Sequence, residues 1–201
     1  MILERKRKVM REKAEYKSAK RSRKLIRTAF AKLMLEKPVE KITITDIVKE
    51  ADLNRGTFYA HYESPHSVMQ EIQNEIMDNL LEFLSEWTYE NFLNDPLPIL
   101  LKINHYLEED MEYFKMLIQC SDSEQFLNRL KKLFVTYMEK DESVPEHLKG
   151  TKEYEARIYF IAGGITELYK RWFDEDLIVQ SLNDLAQSMS ENIVECSKKF
   201  L

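Results

Sequence analysis

Hydrophobic residues recur every three to four positions along most of the chain, which is the spacing of amphipathic α-helices rather than of strands. Pro38, the Asn94-Asp95-Pro96 break and the polar segment 141–150 interrupt this spacing. The sequence contains no convincing strand and no internal repeat, so we predict an all-α protein. The predicted helices cover residues 17–36, 43–51, 55–61, 65–87, 97–109, 111–120, 124–140, 154–172 and 182–200.

The most informative segment is residues 42–62, which are ITITDIVKEADLNRGTFYAHY. A helix that begins at a threonine is broken at Asp52, and a second, much shorter helix begins after an Asn54 cap. Two helices joined by a three- or four-residue turn, the second too short to bury a core of its own, are typical of a helix-turn-helix DNA-binding motif. Phe58 and Tyr62 recur at i and i+4, so we predict that they face inward.

Charge is distributed unevenly along the 201 residues, whose net charge is −5. Residues 1–28 contain twelve Lys or Arg and three Glu, a net charge of +9. The remaining residues contain 18 basic and 32 acidic side chains, a net charge of −14. A basic end joined to an acidic body is typical of a protein that contacts a polyanion at one end only. A charge run alone is usually a solvated helix face, but beside a helix-turn-helix motif it favours nucleic-acid binding.

Composition argues against several other classes of protein. With 44% hydrophobic and 32% charged residues, four Gly and five Pro, the chain is predicted to be globular rather than disordered or fibrous. No apolar run approaches the roughly 20 residues that a membrane span requires, and the charged N-terminus does not resemble a signal peptide. Cys120 and Cys196 lack metal-binding or redox spacing, and His61 and His66 are poorly placed as metal ligands. We therefore expect a cytoplasmic protein with no metal, cofactor or membrane partner.

Residues 42–62 resemble the N-terminal DNA-binding domain of the tetracycline-repressor (TetR/AcrR) family of bacterial transcription regulators. The resemblance covers about residues 24–70, and its matching positions are the Thr-x-x-Ile pattern, Ala51, Leu53, Gly56-Thr57-Phe58-Tyr59 and the aromatic residue at 62. A second segment is similar to the C-terminal domains of Firmicutes-type members, including the dihydroxyacetone-kinase regulator group. It consists of Ala162-Gly163-Gly164-Ile165 followed by Trp172.

The residues predict a basic N-terminal extension at 1–16, and the resemblance implies a three-helix helix-turn-helix domain at 17–63 and a helical ligand-binding and dimerisation domain at 64–201. Members are homodimers in which the last two helices of each subunit form a four-helix interface. Gly163-Gly164 would permit close helix approach or a kink, at a dimer seam or at a ligand pocket. The expected interface residues are Ile161, Ile165, Leu168, Trp172, Leu185, Met189 and Ile193.

Carried over position by position, the resemblance assigns roles around the two short helices. At the start of the first of these helices, Thr43 and Thr45 are expected to contact phosphate, with simple N-capping as the alternative. Arg55 and Thr57 are the candidates for base-edge contact, and Arg55 could equally contact a phosphate or remain solvated. Gly56 permits close approach of the backbone to DNA.

Two further positions and one departure complete this interface. Tyr59 matches the phosphate-binding tyrosine of the family, with a partly buried core tyrosine as the alternative, and His61 matches a position that often meets the DNA backbone. The family usually has a lysine where this chain has Pro65, so a charge-assisted phosphate contact is lost there. Basic residues upstream are expected to compensate, namely Lys17, Lys20, Arg21, Arg23, Lys24 and Arg27. With about four phosphates neutralised per head, a dimer would show a log–log salt slope of about −7.

Aromatic and methionine side chains in the C-terminal part are candidates for lining a pocket for a lipophilic ligand, although such residues at helical spacing are more often plain core. They are Trp87, Tyr106, Phe114, Met116, Phe134, Tyr137, Tyr159 and Phe160. We expect a ligand-responsive repressor that binds a pseudo-palindromic operator as a homodimer. The first alternative is a coactivator or adaptor on the same fold, favoured if the C-terminal domain has no internal cavity. The second is an enzyme, for which the sequence offers no catalytic constellation.

Overall fold

The computed structural model describes residues 2–120, 123–175, 177 and 181–198, with side chains for 16–120, 123–175, 177 and 181–197. Within these residues all regular structure is helical, and the predicted all-α fold is confirmed. A single 3₁₀ turn lies at Val39–Lys41. The α-helices are α1 (Ile2–Glu36), α2 (Ile44–Glu50), α3 (Arg55–Tyr59), α4 (Pro65–Ser85), α5 (Tyr89–Asn94), α6 (Leu97–Glu108), α7 (Met111–Gln119), α8 (Ser123–Glu139), α9 (Lys152–Phe173) and α10 (Leu182–Lys198).

The helices differ from the predicted ones by a residue or two at several ends, such as those of α3 and α4, and by more at two places. First, α1 begins at Ile2, so the predicted basic extension at 1–16 continues the first helix. Second, α5 was not predicted; the Thr88 hydroxyl caps it by accepting a hydrogen bond of 3.2 Å from the Asn91 amide. The predicted last residues of α10, 199 and 200, lie outside the described residues.

The chain forms two compact units, Met1–Ile72 and Gln73–Leu201, and α4 contributes residues to both. In the first unit, α1 packs on α2 and α2 on α3. Phe30, Phe58 and Ile47 are fully buried there. Burying side chains of this size stabilises the unit by about 1.5–3 kcal/mol each relative to exposure, so this small core holds α3 in place although α3 has only five residues.

The turn between α2 and α3 requires a left-handed residue. Asp52 occupies this conformation with φ of 51°, and the Leu53 amide then donates 2.9 Å to the Val48 carbonyl, which closes the end of α2. Glycine adopts this conformation without the steric cost that a side chain incurs. Asp52 also places a negative charge at a helix C-terminus, where the helix dipole disfavours it.

We therefore expect Asp52→Gly to stabilise the first unit. Relief of the left-handed strain and of the charge should outweigh the extra backbone entropy of glycine, for a net gain of about 0.5–1 kcal/mol. The melting temperature, followed by circular dichroism, should rise by roughly 2–5 °C. Asp52→Ala is the control, because it removes the charge but keeps the strain. A lower melting temperature for Asp52→Gly would show that the Asp52 side chain makes a stabilising contact.

The second unit contains a buried polar link between three helices. Asn104 of α6 is 1% exposed, and its Nδ2 donates 2.6 Å to the Leu182 carbonyl at the start of α10. The Tyr169 hydroxyl of α9 donates 2.7 Å to Asn104 Oδ1. Burial raises the pKa of Tyr169 well above its usual value, so this hydroxyl stays protonated and remains a donor at physiological pH. The link fixes the start of α10 against α6 and α9.

Candidate nucleic-acid interface and internal cavity

The start of α2 is a capping box. The Asp46 amide donates 3.2 Å to Thr43 Oγ1, and the Thr43 amide donates 2.9 Å to Asp46 Oδ2. Lys37 Nζ lies 2.7 Å from the same carboxylate oxygen and, as the largest cause, lowers the pKa of Asp46 far below its usual value. The Thr43 hydroxyl is also bonded to Asp46 and is therefore engaged in the N-cap, the alternative raised from sequence. The Thr43 hydroxyl must break its hydrogen bond to Asp46 before it can donate to a phosphate.

Thr45 and Arg55 lie together on one exposed surface. The Arg55 guanidinium donates 2.6 Å to Thr45 Oγ1, which links the first turn of α2 to the first turn of α3. Both residues are exposed. A surface threonine and the five donors of an arginine at the N-terminal end of a short helix can contact phosphates and base edges. This pair joins two residues that were assigned to the same function from sequence.

Asn54 organises the start of α3, as predicted from its position. Its Oδ1 accepts hydrogen bonds from the Thr57 amide at 2.8 Å and from the Thr57 hydroxyl at 3.1 Å. A Cβ on Gly56 would lie 3.2 Å from the same oxygen, which is tighter than an ordinary contact. Glycine at position 56 therefore leaves room for the cap and also presents bare backbone on an exposed surface. The Thr57 hydroxyl donates within the turn, so Thr57 can offer a partner its methyl group and the acceptor side of its oxygen.

Tyr59 and His61 differ in their surroundings. Tyr59 is 57% exposed, so the alternative of a core tyrosine does not hold, and its ring packs edge-on against buried Phe58. His61 is half-buried, and its Nε2 lies 2.8 Å from Ser22 Oγ in a hydrogen bond that ties this segment to α1. The imidazole therefore helps to hold the motif on α1, and only part of it is accessible.

The basic face of α1 is only partly accessible to a polyanion. Lys17, Lys20, Arg21 and Lys24 are exposed. The Arg23 guanidinium instead donates to Glu71 of α4, and the Tyr62 hydroxyl donates 2.8 Å to the same carboxylate. Arg23 was expected to bind a phosphate, but its ion pair with Glu71 competes with that role.

An apolar cavity of about 140 Å³ lies inside the second unit. Residues of six consecutive helices, α4 to α9, line it. Three of the aromatic residues proposed from sequence are among them, namely Tyr106, Phe114 and Phe134. Most of the others are Leu and Ile, including Ile76, Leu80, Leu84, Ile99, Leu100, Ile103, Leu117, Leu127, Leu130 and Ile165.

The other pocket candidates do not line this cavity. Trp87 and Tyr137 contact each other instead, because the Tyr137 hydroxyl donates 3.2 Å to the Trp87 carbonyl. They lie beyond Leu84 and Phe134, the last residues of α4 and α8 that reach the cavity. Met116 of α7 is half-buried outside it.

Phe160 and Tyr159 are exposed on α9 rather than enclosed, at 72% and 49% respectively. The cavity-lining residues of α9 begin at Ala162. Two residues correspond to about 200° around a helix, so Phe160 faces away from the cavity. It lies instead in a shallow apolar groove between α9 and α10, which also includes Gly164, Leu168, Ile193 and Cys196.

The residues proposed for a dimer interface lie on this α9–α10 pair but differ in exposure. Ile161, Leu185, Met189 and Ile193 are buried within the unit, whereas Ile165, Leu168 and Trp172 are half-buried. A partner subunit could contact the half-buried ones directly. Phe160, which sequence analysis assigned to the pocket, is the most exposed apolar side chain near them.

Two kinds of site are missing from the part of the chain that the structure describes. No group of three His, Cys, Asp or Glu side chains there is arranged to hold a metal ion. No helix within the same residues is long and apolar enough to cross a membrane.

Comparisons with known proteins agree with the all-helical fold. A family model of the TetR type, described as a transcriptional regulator C-terminal region, matches residues 94–195, just over half of the chain. The fold is similar to the solved structure of the dihydroxyacetone kinase operon activator DhaS, with a TM-score of 0.56 at 16% identity over 89% of this chain and 97% of that one. It is also similar to a TetR transcriptional regulator from Streptococcus agalactiae 2603V, with a TM-score of 0.53 at 22% identity over 90% and 98% of the two chains. No curated protein matches the sequence.

Proposed function

Because the chain belongs to the TetR family of transcriptional regulators, we propose that it is a cytoplasmic, homodimeric repressor of a pseudo-palindromic DNA operator. Each subunit contributes one helix-turn-helix motif, formed by α2 and α3. A small molecule in the cavity of the second unit releases the operator. No catalytic activity belongs to this proposal.

The exposed surface around the start of α3 is the observation that carries the proposal. Arg55, Thr45 and Tyr59 project from a motif whose interior is fixed by Phe58 and by the Asn54 cap. Phe58 is the one buried residue among the five of α3, so the exposed side chains of this helix are available for a partner. Arginine, threonine and tyrosine are suited to the phosphates and base edges of a duplex.

Selection of bound duplexes from a random DNA pool by the full-length protein tests this proposal. We expect enrichment of a two-fold symmetric sequence whose half-sites are separated by about one helical turn or a multiple of it. The same selection with Arg55→Ala should lose enrichment at specific positions of each half-site. Failure to enrich any palindrome, together with binding that Arg55→Ala and Tyr59→Phe leave unchanged, would contradict operator recognition.

The α9–α10 face supports the dimer. Phe160 is largely exposed in the single chain, and among the described residues neither Gly163 nor Gly164 has a neighbour within 4 Å of the Cβ that another residue would carry there. The described part of the subunit therefore does not use the close approach that these glycines permit. A second copy packed on this face would bury Phe160 and use the open space. Mass measured in solution at micromolar concentration should equal two chains; one chain would contradict the dimer.

The cavity and one hydrogen bond support regulation by a small molecule. Tyr106 lines the cavity with its ring, and its hydroxyl accepts 2.9 Å from Asn79 Nδ2 of α4. A ligand that moves the Tyr106 ring also displaces α4 through the hydrogen bond to Asn79. This helix contributes residues to both units. A C-terminal domain without a cavity would favour the adaptor alternative. The cavity in the second unit therefore supports a small-molecule effector instead.

Tyr106→Phe should separate ligand binding from DNA release. The ring and the cavity remain, so ligand affinity should change by less than about threefold, whereas the bond to Asn79 is lost. We expect the coupling between ligand and DNA, measured as the ratio of operator dissociation constants with and without ligand, to fall by roughly 2- to 10-fold. Tyr159→Phe is the matched control, because Tyr159 is exposed and outside the cavity. Unchanged coupling in Tyr106→Phe would exclude this hydrogen bond as the connection.

A further inference from the structure

The hydroxyl groups that line the cavity already have partners within the protein. Thr166 donates 2.8 Å to the Ala162 carbonyl of its own helix. Tyr169 donates 2.7 Å to Asn104, and Tyr106 accepts 2.9 Å from Asn79. A polar ligand group would meet a lining surface that is almost entirely carbon, and the loss of its hydration is costly in a water-poor site. The described lining therefore offers a ligand mainly carbon contacts.

Among the described residues that line the cavity, Lys131 of α8 is the charged one. The lining surface is almost entirely carbon, so Lys131 contributes its methylene stem rather than its ammonium group. The side chain is half-buried, which is the usual arrangement of a lysine that covers apolar surface with its stem. An anionic ligand would have to lose its hydration in the cavity without contacting this charge.

The size of the cavity limits the ligand further. A volume of about 140 Å³ is close to that of an engineered apolar cavity of about 150 Å³ that stays dry and binds benzene. Phe92, Phe114, Phe126 and Phe134 place aromatic rings around the space. A planar ring with one or two small substituents fills such a volume, and ring edges pack favourably against the surrounding rings.

We propose that the cavity of the second unit selects a small, uncharged, aromatic or similarly compact hydrocarbon-like molecule and excludes carboxylates and amines of the same size. The regulatory role of this ligand rests on the proposed function. The selectivity of the cavity for uncharged molecules does not depend on DNA binding. Selection follows from desolvation, because an ionised group enters the apolar space without compensating hydrogen bonds. Lys131 confers no preference for anions.

Four probes that share a fluorophenyl ring and differ in the substituent opposite the fluorine test the proposal in the absence of DNA. Fluorine NMR of 4-fluorotoluene, 4-fluorobenzyl alcohol, 4-fluorobenzoate and 4-fluorobenzylamine would be recorded against the full-length protein. We expect 4-fluorotoluene to bind with a dissociation constant on the order of 0.1 mM. The benzoate and the amine should bind at least about 100-fold more weakly. The proposal would be overturned if 4-fluorobenzoate bound as tightly as 4-fluorotoluene and this binding were lost in Lys131→Gln. Lys132→Gln is the control, because Lys132 is exposed and does not line the cavity.

A second pair of variants locates the bound ring. Ala162 is buried and lines the cavity, whereas Ala156 is exposed on the same helix. Ala162→Leu fills part of the space and should weaken binding of 4-fluorotoluene at least about 10-fold, while Ala156→Leu should stay within about twofold. Equal binding by both variants would place the ring elsewhere and contradict the proposal. The wild-type probe series remains decisive if Ala162→Leu does not fold.

The outcome is separable from that of the proposed function. If 4-fluorotoluene binds but leaves operator affinity unchanged, the cavity selects uncharged rings and the regulatory role fails. If no probe binds up to 2 mM while the protein still selects a palindrome, the ligand class is wrong and the DNA-binding proposal stands.

Discussion

Arg55→Ala will weaken binding of the full-length protein to its selected operator by about 10²- to 10⁴-fold. A bidentate arginine–base pair contributes about 1–3 kcal/mol, and a two-fold symmetric complex loses two of them. In the free protein the Arg55 guanidinium is held by Thr45 at 2.6 Å, so it is already positioned beside the start of α2 before DNA arrives. Fluorescence anisotropy with a labelled duplex at fixed salt measures the change.

Two variants sharpen this prediction about Arg55. Arg55→Lys keeps the charge but not the planar fork, so it should bind more weakly than wild type and discriminate less between bases. Arg171→Ala is the matched control, because Arg171 is an exposed arginine of α9 paired with Glu167 and should leave operator affinity unchanged. If Arg55→Ala binds within twofold of wild type, α3 does not read DNA through this residue.

Asn104→Ala will destabilise the second unit by about 2–5 kcal/mol. The variant leaves the Tyr169 hydroxyl and the Leu182 carbonyl without their buried partner, and each unmade bond costs about 1–3 kcal/mol. Urea unfolding followed by circular dichroism should show a lower midpoint. Tyr169→Phe removes one bond of the same link and should cost less.

The double variant Asn104→Ala/Tyr169→Phe distinguishes the link from simple loss of volume. If the two residues act through their hydrogen bond, the double variant should be less destabilised than the sum of the single variants. Asn183→Ala is the control, because Asn183 is exposed and its contact with Asn104 is long at 3.3 Å. A loss below about 1 kcal/mol for Asn104→Ala would mean that water or a neighbouring group replaces the amide.

Local signals explain why the helix-turn-helix motif could be predicted from sequence. The cap at Asn54 and the inward spacing of Phe58 and Tyr62 depend on residues within one or two helical turns of each other. Similar short-range signals mark the starts of α4 and α9, at Ser64-Pro65 and at Thr151. The same type of signal at Thr88 marks α5, which the hydrophobic pattern alone missed because that helix has only six residues.

The cavity could not be located from sequence in the same way. Its lining comes from six helices, so whether a side chain borders the space depends on how distant segments pack. Aromatic character therefore selected Tyr106, Phe114 and Phe134, which line the cavity, but also Phe160, which faces the opposite side of α9. Asn104 was missed for a related reason: one asparagine in an amphipathic helix carries no sign that its partners lie 65 and 78 residues away.

Equilibrium binding of the full-length protein to the selected palindrome, compared with a scrambled duplex of equal length and composition, tests the central claim most directly. The titrations would be repeated between 50 and 200 mM salt. We expect two chains per duplex, a preference for the palindrome of at least about 10³-fold, and a log–log salt slope of about −7. Equal affinity for the two duplexes, or a slope near zero, would contradict the claim that this chain recognises an operator through α3.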